Sequence, residues 1–153
     1  MRITQHTFRK SQMPAAAPYE RAIVQDIERA IRSRVALLQA IVGPRQVGKS
    51  TAAAQLVHRL GWPSHVAAAD APLPHPPEWI ETQWEIARRM AGKRRAVLVL
   101  DEIQKVPGWS EVVKRLWDED RRARSPLRVL LLGSSSLLSR NAKRFAQLPR
   151  QCR

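Results

Sequence analysis

Gly43-Pro44-Arg45-Gln46-Val47-Gly48-Lys49-Ser50 fits the pattern G-x-x-x-x-G-K-[ST], and the residues on either side decide how it is read. Ahead of it, Leu37-Leu38-Gln39-Ala40-Ile41-Val42 is an apolar run of strand length. Behind it, Thr51-Ala52-Ala53-Ala54-Gln55-Leu56-Val57 is helix-like. Strand, glycine-bearing loop and helix in that order form the setting in which this pattern cradles phosphate.

The residue types follow from the chemistry. Phosphate oxygens are held by backbone N–H groups that converge on a helix N-terminus, where unpaired donors and the helix dipole favour an anion. Gly43 and Gly48 give the chain the freedom to come close, and Lys49 brings a compact positive charge to the β- and γ-phosphates. The Ser50 hydroxyl is a ligand for Mg²⁺, and Thr51 donates to the α-phosphate. The whole stretch from Gly43 to Thr51 is the candidate nucleotide-binding loop; the plainer reading is a glycine-rich helix entry with a surface lysine.

Downstream, Ala96-Val97-Leu98-Val99-Leu100 is continuously apolar and ends in Asp101-Glu102, as does a parallel strand buried on both faces. In open α/β sheets ligands bind beyond the carboxyl ends of the strands, which puts this acidic pair opposite the phosphate loop. Asp101 would then hold a Mg²⁺-bound water and Glu102 would polarise the attacking water. A third run, Leu127-Arg128-Val129-Leu130-Leu131-Leu132, ends in Gly133-Ser134-Ser135-Ser136. Ser134 is the candidate for reaching the γ-phosphate or the water; the alternative is a Gly-Ser turn or a helix cap.

These stretches resemble a known family. The phosphate loop, then Leu100-Asp101-Glu102-Ile103-Gln104-Lys105-Val106-Pro107-Gly108-Trp109, then Leu132-Gly133-Ser134-Ser135-Ser136-Leu137-Leu138 are similar to the prokaryotic AAA-type ATPases that carry a C-terminal DUF4143 domain. The D-E-I-Q-K-x-P-x-W string is the most specific part, and the resemblance runs from about Tyr19 to Arg140, taking in Trp79 and Trp84. It implies ATP and Mg²⁺ as ligands, hydrolysis in full-length relatives, and an extra strand between the loop strand and the acidic strand with Ser134 at its end. In the family the Gly-Ser-Ser stretch leads into further strand and a second domain, whereas here residues 141–153 form a basic tail. The resemblance therefore implies a truncated chain lacking a fifth strand beside the loop strand, with an open sheet edge there. The family's later arginine has no match in Arg140, Arg144 or Arg150, so ATP binding without efficient turnover is expected of this chain.

The rest of the chain fits one α/β domain, a mostly parallel sheet with helices on both faces. Met1 to Pro18 reads as a flexible leader, Tyr19 to Ser33 as a helix, His65 to Ala69 as a strand, Glu78 or Trp79 to about Met90 as a helix, and Trp109 to Arg122 as an amphipathic helix. About 150 residues suffice for a single core. No apolar run is long enough to cross a bilayer, which points to a cytoplasmic protein with no membrane partner. The lone Cys152 excludes an internal disulfide, and His58, His65 and His75 lack metal-ligand spacing. Of five tryptophans, Trp79 and Trp84 are read as core residues, with adenine stacking as the alternative.

The formal net charge is +14, and between Arg121 and Arg153 there are nine Arg or Lys and no Asp or Glu. Nucleic acid is thus a possible partner, weighed against a solvated charged face. No helix-turn-helix, zinc spacing or RNA-binding aromatic motif accompanies the charge. Two other readings of the phosphate loop are a small P-loop kinase and a regulatory ATP-binding module without turnover; a GTPase is disfavoured because no N-K-x-D occurs.

Overall fold

The computed structural model describes residues 3–7, 18–33 and 38–134. The elements run β1 (Ile3–Thr7), α1 (Pro18–Arg32), β2 (Leu38–Gly43), α2 (Lys49–Leu60), β3 (Ser64–Ala68), α3 (Glu78–Ala91), β4 (Ala96–Asp101), a 3-10 turn (Ile103–Lys105), α4 (Trp109–Arg122) and β5 (Leu127–Ser134). Strand and helix alternate throughout, and each crossover returns the chain to the same edge of the sheet.

The five strands are ordered β1-β2-β5-β4-β3, and every neighbouring pair is parallel. β5, last in the chain, is therefore the middle strand, between the loop strand β2 and the acidic strand β4. That is the insertion implied by the family resemblance. The expected gap beside β2 does not occur: Ile3–Thr7 pairs with Leu38–Val42 and covers that edge. One apolar residue in the five of Ile3–Thr7 gives no strand period to read, and the segment gains its structure from backbone bonds to β2. The segments 8–17 and 135–153, which hold the rest of the expected leader, the tail, Arg140, Arg144, Arg150 and Cys152, lie outside the described residues.

Alternation along the strands divides the core in two. Leu38, Ala40 and Val42 of β2, Ala96, Leu98 and Leu100 of β4, and Leu127, Val129 and Leu131 of β5 pack against α3, α4 and the 3-10 turn. Ile41, Val97, Val99, Leu130 and Leu132 point the other way, to α1 and α2. Because both faces are covered, the central strands are apolar on both faces apart from Gln39 and Arg128, which made them legible in the sequence.

Two buried polar residues fasten the layers. Asp120 of α4 accepts from the indole N–H of Trp84 at 2.8 Å and from Arg88 Nε at 2.9 Å, tying α4 to α3. Arg128 of β5 donates to the carbonyls of Ile31 at 3.2 Å and Ser33 at 3.4 Å, so its side chain serves the carbonyls left open at the C-terminus of α1. Burial, with Arg95 nearby, pulls the Arg128 guanidinium below its ordinary value.

Candidate functional site

The parallel register brings four strand ends to one edge. Gly43 stands level with Ser134, and Ala68 with Asp101, so the loop after β2 faces the acidic end of β4 across β5. Between them lies a cleft of ≈ 560 Å³ bordered by Arg45, Gln46, Gly48, Lys49, Ser50, Thr51, Asp101 and Glu102 of the candidate residues. Ala68, Asp70 and Lys105, which sequence reading did not assign, complete its wall.

The loop turns through two left-handed residues, Gln46 at φ 61 and Gly48 at φ 84. Gly48 caps α2, and its carbonyl accepts the first helical bond, from Ala52 N–H at 2.9 Å. The first-turn N–H groups of α2 are thereby aimed into the cleft, an anion site in the making. Lys49 is only 6 % exposed, so its ammonium has to be satisfied from within. It donates to the carbonyls of Gly43 at 3.2 Å and Pro44 at 2.7 Å. Val47 points into the core beside α1 and α2, which anchors the loop from below.

Ser50 Oγ donates to Asp101 Oδ2 at 2.5 Å, joining the start of α2 to the end of β4. The other carboxylate oxygen, Oδ1, accepts from the Glu102 N–H at 2.8 Å. Glu102 has φ 52, a left-handed conformation that costs a non-glycine residue about 1 kcal/mol or more and is kept only where its surroundings enforce it. Here the enforcement is visible. Its N–H is held by Asp101, its carbonyl accepts from the Lys105 N–H at 2.9 Å, and its carboxylate accepts from Gln104 Nε2 at 2.7 Å.

Gln104 is the residue that sequence reasoning missed. Its amide nitrogen also reaches Ser134 Oγ at 3.3 Å, so one side chain bridges the ends of β4 and β5. The Glu102 carboxylate, which can only accept, decides which end of the amide is nitrogen. The amide oxygen is left buried without a hydrogen-bond partner among the described residues, an arrangement that costs stability and marks a site under constraint. The signal lay in the D-E-I-Q-K string itself, but only the 3-10 turn folds Gln104 back onto Glu102.

On the opposite wall Asp70 is ion-paired with Lys105. The Lys105 ammonium, joined by the more distant Arg45, holds the Asp70 carboxyl below its ordinary range. Neither Trp79 nor Trp84 borders the cleft. Trp84 is fully buried on Asp120, and Trp79 packs on the core and stacks with His75 at 4.7 Å between ring centres, so both serve packing. His65 is likewise engaged, with Gln83 Oε1 at 2.8 Å.

No cluster of three or more His, Cys, Asp or Glu suited to a metal occurs among the described residues. The donor set is of a different kind: one hydroxyl and one carboxylate, Ser50 and Asp101, already in contact. Mg²⁺ keeps several waters and is held by one or two protein oxygens together with substrate phosphates, and this pair fits that requirement.

Compared with known proteins, the chain matches the AAA domain family (AAA_14) over residues 36–150. It has no match among the curated proteins. No helix among the described residues is long and apolar enough to cross a membrane. The family match takes in every strand end that borders the cleft, and the chain belongs to the AAA domain family.

Proposed function

We propose that the cleft binds ATP together with Mg²⁺ and that Glu102 polarises the water that attacks the γ-phosphate, giving ADP and inorganic phosphate at the low rate expected of this chain. The observation that carries this reading is the Ser50–Asp101 hydrogen bond, which sets a hydroxyl and a carboxylate side by side one residue from Lys49. In this reading Ser50 and Asp101 hold Mg²⁺. When bound, the ion neutralises charge on the β- and γ-phosphate oxygens.

The protein's own groups divide the remaining work. The N–H groups at the start of α2 hold the phosphate oxygens, and Lys49 exchanges the carbonyls of Gly43 and Pro44 for the β- and γ-phosphates. Thr51 donates to the α-phosphate. Glu102 accepts the proton of the attacking water as the new P–O bond forms and the bond to ADP breaks. Ser134, level with Gly43 at the end of the middle strand, senses the γ-phosphate, and Gln104 links that hydroxyl to the Glu102 carboxylate.

Calorimetry with Mg·ATP on the whole chain tests the assignment. Micromolar binding that weakens at least about 100-fold in Lys49→Ala, with an unchanged circular dichroism spectrum, is the expected result; that loss is about 2.7 kcal/mol. Equal affinity in the variant would remove the loop from the site. A module that binds ATP without turnover is separated from the enzyme by measuring phosphate release from the same preparation.

A further inference from the structure

All four helices run antiparallel to the strands, so their C-termini meet at the edge of the sheet opposite the cleft. Each of the four last turns is basic: Arg29 and Arg32, His58 and Arg59, Arg88 and Arg89, Arg121 and Arg122. Cations suit helix C-termini in general, so that pattern alone decides nothing. What matters is how many of them are left unpaired.

On the α3–α4 side the acids are already engaged. Arg88 takes Glu85, Glu119 and Asp120, and Arg115 takes Glu81 and a second oxygen of Glu119. Arg89, Lys93, Arg94, Arg121, Arg122 and Arg124 are exposed beside them. Among the described residues none of the six has a carboxylate partner; Arg122 alone makes a side-chain bond, to the Asp118 carbonyl at 3.1 Å. Asp118 is the one acid of the α4 end not drawn into an ion pair.

The sheet then brings the two groups together. Lys93 and Arg94 lie just ahead of β4, and Arg121, Arg122 and Arg124 just ahead of β5. Ala96, the first residue of β4, stands level with Leu127, the first of β5, so the two basic segments enter adjacent strands spaced about 4.8 Å apart. Of the nine basic residues from Arg121 to Arg153, Arg121, Arg122, Arg124 and Arg128 thus belong to the described fold.

We propose that this pole is a docking surface for the sugar-phosphate backbone of a nucleic acid, read without regard to sequence. Five of the six cations are arginine, whose planar fork suits phosphate, and of the carboxylates at this end of α4 all but Asp118 are consumed inside the α3–α4 network. An anionic membrane fits less well. Of the exposed large apolar side chains on described residues, Val66, Leu73, Ile86 and Met90, only Met90 lies in the last turn of a helix at this pole, too little apolar surface to insert. The strands separate the pole from the cleft by about 20 Å, so the surface is open whether or not the cleft is filled.

The test uses the whole chain and a fluorescent 20-base-pair duplex, titrated from 50 to 200 mM salt. Six phosphate contacts give a slope of log K on log [salt] near −5, a fall in affinity of about 10³-fold over that range. Two variants of equal charge loss are compared: Arg94→Gln/Arg121→Gln/Arg122→Gln, and Arg140→Gln/Lys143→Gln/Arg144→Gln. The pole variant is expected to flatten the slope by about three and to leave only about a 40-fold fall, with the unfolding midpoint unchanged, while the second variant keeps the original slope. Equal effects of the two triples, an effect of the second triple alone, or no duplex binding at 50 mM would each overturn the proposal. Binding to phosphatidylserine vesicles in place of duplex would do so as well. Retention of duplex binding in Lys49→Ala separates this surface from the nucleotide cleft.

Discussion

Replacing Asp120 with alanine removes an acceptor from beneath α3. Trp84 is fully buried and Asp120 is 6 % exposed, so the indole N–H that Asp120 accepts at 2.8 Å has no water to turn to. An unsatisfied buried donor costs about 1–3 kcal/mol. Arg88 loses its 2.9 Å partner too, but keeps Glu85 and Glu119, so only part of the usual penalty for breaking a buried pair is added. The sum is about 2–4 kcal/mol, which lowers Tm by about 6–16 °C for a domain of this size. Asp120→Asn should cost less than half as much. It keeps an oxygen for the indole and drops a charge whose burial, working against the bonds from Trp84 and Arg88, pushes the carboxyl above its ordinary value. Calorimetric melts of both variants, with Trp84→Phe and the double variant Trp84→Phe/Asp120→Ala, complete a cycle whose coupling should reach about 1–2 kcal/mol. Additive losses, or an alanine variant within about 0.5 kcal/mol of the parent, would refute the view that this bond fastens α3 to α4.

Glu102→Gln should bind Mg·ATP within about 3-fold of the parent while phosphate release falls at least about 100-fold; equal turnover would take Glu102 out of the chemistry. Gln104→Leu removes the donor that holds Glu102 and an unsatisfied buried oxygen at once, so Tm should hold within a few degrees while turnover drops and nucleotide affinity does not; parallel losses of affinity and Tm would make Gln104 merely structural. Acidification should destabilise the fold. Arg32, with Arg59, holds Glu28 below its ordinary 4.5, and Lys105 holds Asp70 below 3.8. Lowered carboxylates contribute stability above their unfolded values and lose it as pH falls through the folded ones. Melts from pH 6 to 3 should therefore fall below about pH 4.5, and Glu28→Gln should flatten part of that limb; an unchanged limb would count against the Glu28 pairing.

The parts of the molecule legible in the sequence are those whose information is contiguous. Ala96–Leu100 and Leu127–Leu132 lie under helices on both faces and are apolar but for Arg128, and the G-x-x-x-x-G-K-[ST] pattern lies in one unbroken stretch. β1 was not legible because an edge strand of mixed polarity is specified by its neighbour's backbone, and the neighbour is 35 residues away in register, Ile3 beside Leu38. Asp120 gave no signal for the same reason: Trp84, its partner, lies 36 residues earlier. The position of Ser134 at the end of the middle strand was expected because the resemblance supplied the inserted strand. Gln104, Asp70 and Lys105 depend on where a short turn and a loop end up, which no local pattern encodes.

The placement of β5 has a consequence for the order of assembly. The middle strand is the last of the described elements to be synthesised, and both of its neighbours, β2 and β4, wait for it. A nascent chain carrying the complete Gly43–Thr51 loop has at that stage two half-sheets and no cleft, because Gly43 and Asp101 acquire a fixed separation only when Leu127–Ser134 slots between them. Contacts of such long sequence separation form late and leave apolar strand edges bare in the interval. Under the proposed function, nucleotide would then act on folding as a late checkpoint, stabilising only chains whose middle strand is already seated.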